Sequence, residues 1–189
     1  AAQPVYMWIR DGEAKILSAN HLWGRDVAEV EAAIRDEQKD DRIRIAQCGI
    51  AGENKVLFSC IINDANRAAG RTGMGAVMGS KNLKAVAVRG TMTPPVAERS
   101  RVQAIAKWLG ENYRTLVAWA VEMGTPNGVL NLNATGGLPT RNFQDPQFAQ
   151  AESISGQLMH RTILVGRDTC QVCPIRCKQV VEYDGQQYP

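Results

Sequence analysis

The stretch RAAGRTGMGAVMGSKNLKAVAVRG, residues 67–90, decides how this chain is read. A glycine-rich loop flanked by cations runs into LKAVAVRG, an apolar alternation that reads as a strand. Glycines at 70, 73, 75 and 79 let the backbone approach a ligand closely and offer unhindered N–H groups. Arg67, Arg71, Lys81 and Lys84 lie around them, and a guanidinium is well matched to phosphate. Two familiar nucleotide motifs are excluded. The dinucleotide fingerprint fails because Gly73 and Gly75 are followed by Gly79, one residue too late. The P-loop fails because Ser80 separates Gly79 from Lys81, and Asn82 stands where a hydroxyl should meet magnesium. Two readings remain: a cradle for an anionic, phosphate-bearing cofactor, or a tight glycine turn between core segments.

Upstream, strand and helix signals alternate. PVYMWIR and EAKIL read as strands joined through the hairpin dipeptide Asp11-Gly12. In DVAEVEAAIRDEQ, Val27, Val30, Ala33 and Ile34 recur at helical spacing behind Asp26 as N-cap. Ile43 and Ile45 alternate as in a half-buried strand, and KVLFSCII, residues 55–62, reads as a further apolar strand. Downstream the character changes at Pro94 and Pro95, which cannot continue a central strand. The run from Glu98 to Met123 is helical in period, with Gly124 and Pro126 stopping it, and loops rich in Asn, Gly and Pro follow. The expected class is α+β: the C-terminal part of a mixed sheet and helix domain, residues 1–92, then the start of a mainly helical domain, residues 93–189. Both chain ends read as cuts through a longer protein, the last in a hairpin turn.

Composition excludes several functions. The 189 residues are 44% hydrophobic and 22% charged, as in globular proteins. A net charge of +3 without a basic block gives no nucleic-acid footprint. No apolar run reaches the roughly 18 residues that span a bilayer, so no membrane association is expected. The five cysteines, an odd number with three clustered, argue against a secreted disulfide framework and for a cytoplasmic protein whose thiols bind metal.

That cluster is TCQVCPIRCK, residues 169–178, where Cys170, Cys173 and Cys177 are spaced C-x2-C-x3-C. A compact triplet with a proline inside it suits a [4Fe–4S] cluster, where neighbouring cysteines reach several irons. Structural zinc more often uses two separated pairs, and ordinary buried thiols are the third possibility. Radical-SAM proteins place the wider gap first, the reverse of this order. Cys48 and Cys60 sit in strand-like segments and are expected in the core, so the fourth ligand is expected outside this chain. His160 is expected to pack or face solvent.

Taken together, residues 67–90, the segment GTPNGVLNLNATGGLPTRNFQ and RDTCQVCPIRCK resemble, in order, the aldehyde:ferredoxin oxidoreductase family of tungsten enzymes. The resemblance covers nearly the whole chain. It implies a tungsten (or molybdenum) bis-pyranopterin with magnesium bridging its phosphates, beside one [4Fe–4S] cluster. Cys170, Cys173 and Cys177 match three of the four cluster ligands. Arg71, Thr72 and Gly73 match the part of the signature lying against the pterins, with phosphate and magnesium contacts, the latter through a backbone carbonyl. Gly75 and Lys81 are further cofactor-binding candidates. The implied chemistry is oxidation of a small aldehyde to a carboxylic acid, with ferredoxin as electron acceptor. A homo-oligomer or a separate electron-transfer subunit is compatible with it. The alternatives are a benzoyl-CoA reductase-type subunit, or an iron–sulfur electron-transfer or sensor module without pterin. The family's acidic D-x-x-G-[LF]-[DC] motifs do not occur in these residues and no catalytic acid or base is assigned, so the chain alone is expected not to turn over aldehydes.

Overall fold

The computed structural model describes residues 1–170 and 173–188, which form two compact units, Ala1–Pro95 and Val96–Pro189. In the first, β1 (Val5–Arg10) and β2 (Glu13–Ser18) pair as an antiparallel hairpin. Its turn needs left-handed backbone at both centres, which Asp11 (φ 47°) and Gly12 (φ 94°) supply. Helix α1 (Val27–Gln38) starts in a capping box: Asp26 accepts from the Ala28 and Glu29 N–H groups, and Glu29 accepts from that of Asp26. β3 (Arg44–Cys48), the short α2 (Ile50–Glu53), β4 (Ile61–Asn63), β5 (Arg67–Ala69), α3 (Met74–Ser80) and β6 (Leu83–Arg89) complete the unit.

The strands form one mixed sheet in the order β2-β1-β6-β3-β4-β5, parallel only between β1 and β6. The LKAVAVRG run is therefore a central strand, and α3 with its loop hangs directly from its start. Core side chains come from alternate strand positions and one face of α1: Tyr6, Trp8, Ile43, Ile45, Val30 and Ile34. The predicted strand over residues 55–62 does not form. Lys55 turns left-handed (φ 59°), Val56 N–H bonds back to the Ala51 carbonyl, and only the last residues join the sheet as β4. Leu57 and Phe58 consequently stand in solvent, 86% and 83% exposed.

In the second unit the helical run divides at Val117 into α4 (Arg99–Leu116) and α5 (Ala118–Glu122). Gly124, at φ 65°, ends it as expected. A 3-10 turn (Thr125–Gly128), α6 (Val129–Ala134), another 3-10 turn (Ala151–Ile154) and α7 (Gly156–Thr162) follow. β7 (Leu164–Asp168), β8 (Lys178–Tyr183) and β9 (Gln186–Tyr188) form a three-stranded antiparallel sheet. Its final turn uses Asp184 and Gly185, both at positive φ. Among the described residues no helix is long and apolar enough to cross a membrane.

Candidate functional sites

The first site is the loop between β5 and α3. It is built on glycines because its neighbours leave no room for Cβ atoms. At Gly73 (φ 67°) a Cβ would stand 1.9 Å from the Leu57 carbonyl oxygen, and at Gly79 it would stand 1.9 Å from that of Gly52. At Gly75 it would meet the Cys60 carbonyl oxygen at 2.5 Å. Helix α3 is thus sunk onto α2 and the segment before β4. Gly75 also donates its N–H to the Ser59 carbonyl at 3.0 Å, so its part is packing, with no free N–H for a ligand.

The candidates therefore separate. Arg71, Thr72 and Gly73 lie together at the start of α3, while Lys81 caps its far end, exposed. Arg71 is exposed and has no ion-pair partner among the described residues. Thr72 holds φ 73°, a left-handed conformation that a β-branched residue rarely adopts, with its hydroxyl donating to the Arg71 carbonyl. Such strain persists only where the surroundings impose it, and it clusters at ligand sites. The two consecutive left-handed residues, Thr72 and Gly73, follow the exposed Arg71 guanidinium, a group well matched to an anion.

Beneath the loop sits an arrangement the sequence reading missed. Lys84, counted above among the loop's surrounding cations, is fully buried and ion-paired to Glu53, itself 4% exposed. A lysine inside an alternating strand pattern was the only signal. Cys48 lies nearby in the core, as expected, and burial pushes its thiol pKa up. Cys60 is half-buried.

The second site is the cysteine segment of the second unit. None of the five cysteines is in a disulfide; Cys170 and Cys177 are exposed and Cys173 half-buried. Cys173 N–H donates to the Cys170 carbonyl at 3.0 Å, and the Thr169 hydroxyl donates to the carbonyls of Cys170 (2.9 Å) and Cys173 (2.6 Å). These bonds hold Thr169, Cys170 and Cys173 to one another; Gln171 and Val172 lie outside the described residues. At Gly124 a Cβ would stand 2.3 Å from the Cys177 carbonyl oxygen, so that glycine seats the third cysteine's backbone. Among the described residues no three His, Cys, Asp or Glu side chains already stand in metal-binding geometry. The donor set itself, three reduced thiols in one short segment, fits an iron–sulfur cluster that gathers its ligands on binding. His160 is exposed in the last turn of α7, as expected.

A cleft of about 470 Å³ lined by Trp8, Arg10, Asp11, Glu13, Lys15 and Gln38 lies on the first hairpin and involves none of these candidates.

Residues 1–90 match the family model described as aldehyde ferredoxin oxidoreductase, N-terminal domain, and residues 101–189 match that described as domains 2 and 3 of the same family. The tungsten-containing aldehyde ferredoxin oxidoreductase of Pyrococcus furiosus is 41% identical over 183 residues, covering 95% of this chain and 30% of the relative. That of Thermococcus kodakarensis is 41% identical over 181 residues, covering 94% and 30%. A WOR-like subunit of an aliphatic sulfonate oxidoreductase from Pyrococcus furiosus is 28% identical over 95% of this chain and 31% of its own. Among solved structures, the active-site complex BamBC of benzoyl coenzyme A reductase with 1,5-dienoyl-CoA superposes with TM-score 0.74. At 23% identity, over 100% of this chain and 31% of the other, that likeness speaks for the fold alone. The chain spans about 30% of the length of the curated relatives it matches. Two models of one family, matched in order along nearly the whole chain, place it: the chain belongs to the aldehyde ferredoxin oxidoreductase family.

Proposed function

We propose that this chain is part of an oxidoreductase that converts aldehydes to carboxylic acids, water supplying the oxygen and two electrons leaving singly through a [4Fe–4S] cluster to ferredoxin. The observation that carries this reading is the strained, cationic loop at Arg71, Thr72 and Gly73, in a chain 41% identical to tungsten-containing aldehyde ferredoxin oxidoreductases. Residues 1–92 are the pterin-bearing part and residues 93–189 the cluster-bearing part.

The bis-pyranopterin metal, when bound, supplies the two-electron oxidation; the protein supplies position, charge and exclusion of water. Arg71 balances the charge of the pterin phosphates, and the backbone N–H groups of the loop orient them. A backbone carbonyl of the loop would help to hold the magnesium ion. Cys170, Cys173 and Cys177 hold the cluster as thiolates, and a fourth ligand completes it. A cluster held there would supply a one-electron path for a two-electron reaction. The aldehyde is favoured over the sulfonate class because identity is 41% against 28%.

The test uses the enzyme that carries this sequence, kept free of oxygen. Aldehyde addition is expected to reduce the cluster, seen as its paramagnetic resonance signal, and Cys173→Ala to abolish that signal. A cluster that dithionite reduces and no aldehyde does would contradict the substrate assignment.

A further inference from the structure

Leu57 and Phe58 belong to the apolar run that fails to become a strand. An isolated exposed leucine is ordinary, but two adjacent large apolar side chains in solvent beside a candidate ligand loop are not. Their backbone is the surface on which the loop rests. A Cβ at Gly73 would stand 1.9 Å from the Leu57 carbonyl oxygen and 3.9 Å from the Phe58 nitrogen. The next residue, Ser59, accepts the Gly75 N–H at 3.0 Å. Segment and loop therefore form one locked piece, with the Arg71 cation on one part and an apolar pair on the other. That juxtaposition of charge and apolar side chains fits a ligand with an anionic end and a fused-ring body.

We propose that Leu57 and Phe58 form the apolar wall of the cofactor cradle, bearing on the ring body of the pterin whose phosphate end lies at Arg71; this rests on the function proposed above. The wall is preorganised, since its backbone is fixed by the glycine contacts before any ligand arrives. Phe58 supplies an aromatic ring and Leu57 an aliphatic side chain, which exclude water from the heterocycle and leave its polar rim to the loop.

The test compares wild type, Arg71→Gln, and the double variant Leu57→Ser/Phe58→Ser. All are purified without oxygen from a host that makes tungsten pterin. Tungsten and released pterin fluorescence are measured per chain, with the Tm of the cofactor-free form and the oligomeric state. Both side chains of the double variant are exposed, so its cofactor-free Tm is expected to stay within a few degrees of wild type. Its retention of tungsten and pterin through dialysis is expected to weaken on the order of tenfold, from the lost apolar burial. Full retention in the double variant with loss in Arg71→Gln overturns the wall and leaves the loop assignment standing. Full retention with altered self-association or a lost co-purifying protein also overturns it, assigning the pair to a protein interface. Wild type lacking tungsten and pterin overturns the loop assignment and the wall together.

Discussion

Lys84 and Glu53 form an ion pair wholly inside the first unit, bonded on both sides to a loop distant in sequence. The second carboxylate oxygen accepts the Gly24 N–H at 2.8 Å, and the Lys84 ammonium donates to the Arg25 carbonyl at 3.2 Å. The pair ties central strand β6, helix α2 and the loop before α1 into one block. Since Gly79 of α3 rests on the Gly52 carbonyl, the block also fixes the helix that follows the candidate loop. Removing one partner strands a buried charge. Lys84→Met is expected to cost about 3–5 kcal/mol in urea unfolding, and adding Glu53→Gln to recover part of it. A loss below about 1 kcal/mol in the single variant would show that the pair is not sealed from water.

The glycines of this region divide sharply by what surrounds them. Gly79→Ala pushes a methyl into the Gly52 carbonyl, a backbone group with no freedom to yield. It is expected to destabilise by several kcal/mol, seen as a large fall in Tm or as insoluble protein. Gly70 has nothing within 4 Å of its would-be Cβ, so Gly70→Ala is expected to stay within about 0.5 kcal/mol of wild type.

Thr72 holds its strain for the sake of the loop. Thr72→Gly relieves the left-handed penalty at φ 73°, offset partly by glycine's greater freedom when unfolded. A net gain of about 1 kcal/mol is expected in the cofactor-free protein. A fall in Tm would mean that the short hydroxyl bond to the Arg71 carbonyl outweighs the backbone strain.

Stability should fall at both ends of the pH range for identifiable reasons. Tyr6 is fully buried, donates to Glu37 at 2.9 Å and accepts from Gln38 at 2.9 Å. Burial first, then the Glu37 bond, pushes its pKa from 10.0 up to about 12. The native state thus keeps a proton that the unfolded chain gives up. Its contribution is complete below pH 10 and is lost as pH rises toward 12. Asp40 accepts the Arg42 N–H and pairs with Arg89, which lowers its pKa from 3.8 to about 2. Its contribution is present above pH 3.8 and is lost as pH falls toward 2. Tyr6→Phe should flatten the alkaline limb and leave the acid limb unchanged in pH-dependent Tm measurements.

Much of the first unit could be read from its residues because local and tertiary preferences agree there. Asp11-Gly12 makes the turn it is suited to make, Asp26 caps α1, and Ile43 and Ile45 bury as their alternation requires. The segment over residues 55–62 misled because its apolar run is indistinguishable by period from a buried strand. The backbone instead closes onto α2 and turns Leu57 and Phe58 outward. Lys84 escaped because composition marks a lysine as surface, and only three-dimensional pairing with Glu53 makes its burial tolerable. In the loop, spacing could not separate Gly75 from its neighbours. The difference is a single hydrogen bond to Ser59, formed by a segment misread as strand.

The cofactor loop and the cysteine cluster are tested together by the metal content of protein purified without oxygen, comparing wild type with Arg71→Gln and Cys173→Ala. About four iron with matching sulfide, together with tungsten or molybdenum and pterin, are expected in wild type. Arg71→Gln should lose the tungsten or molybdenum and keep the iron, while Cys173→Ala should lose the iron. Iron without tungsten, molybdenum or pterin in wild type would contradict the cofactor loop and leave a cluster-binding protein of another kind.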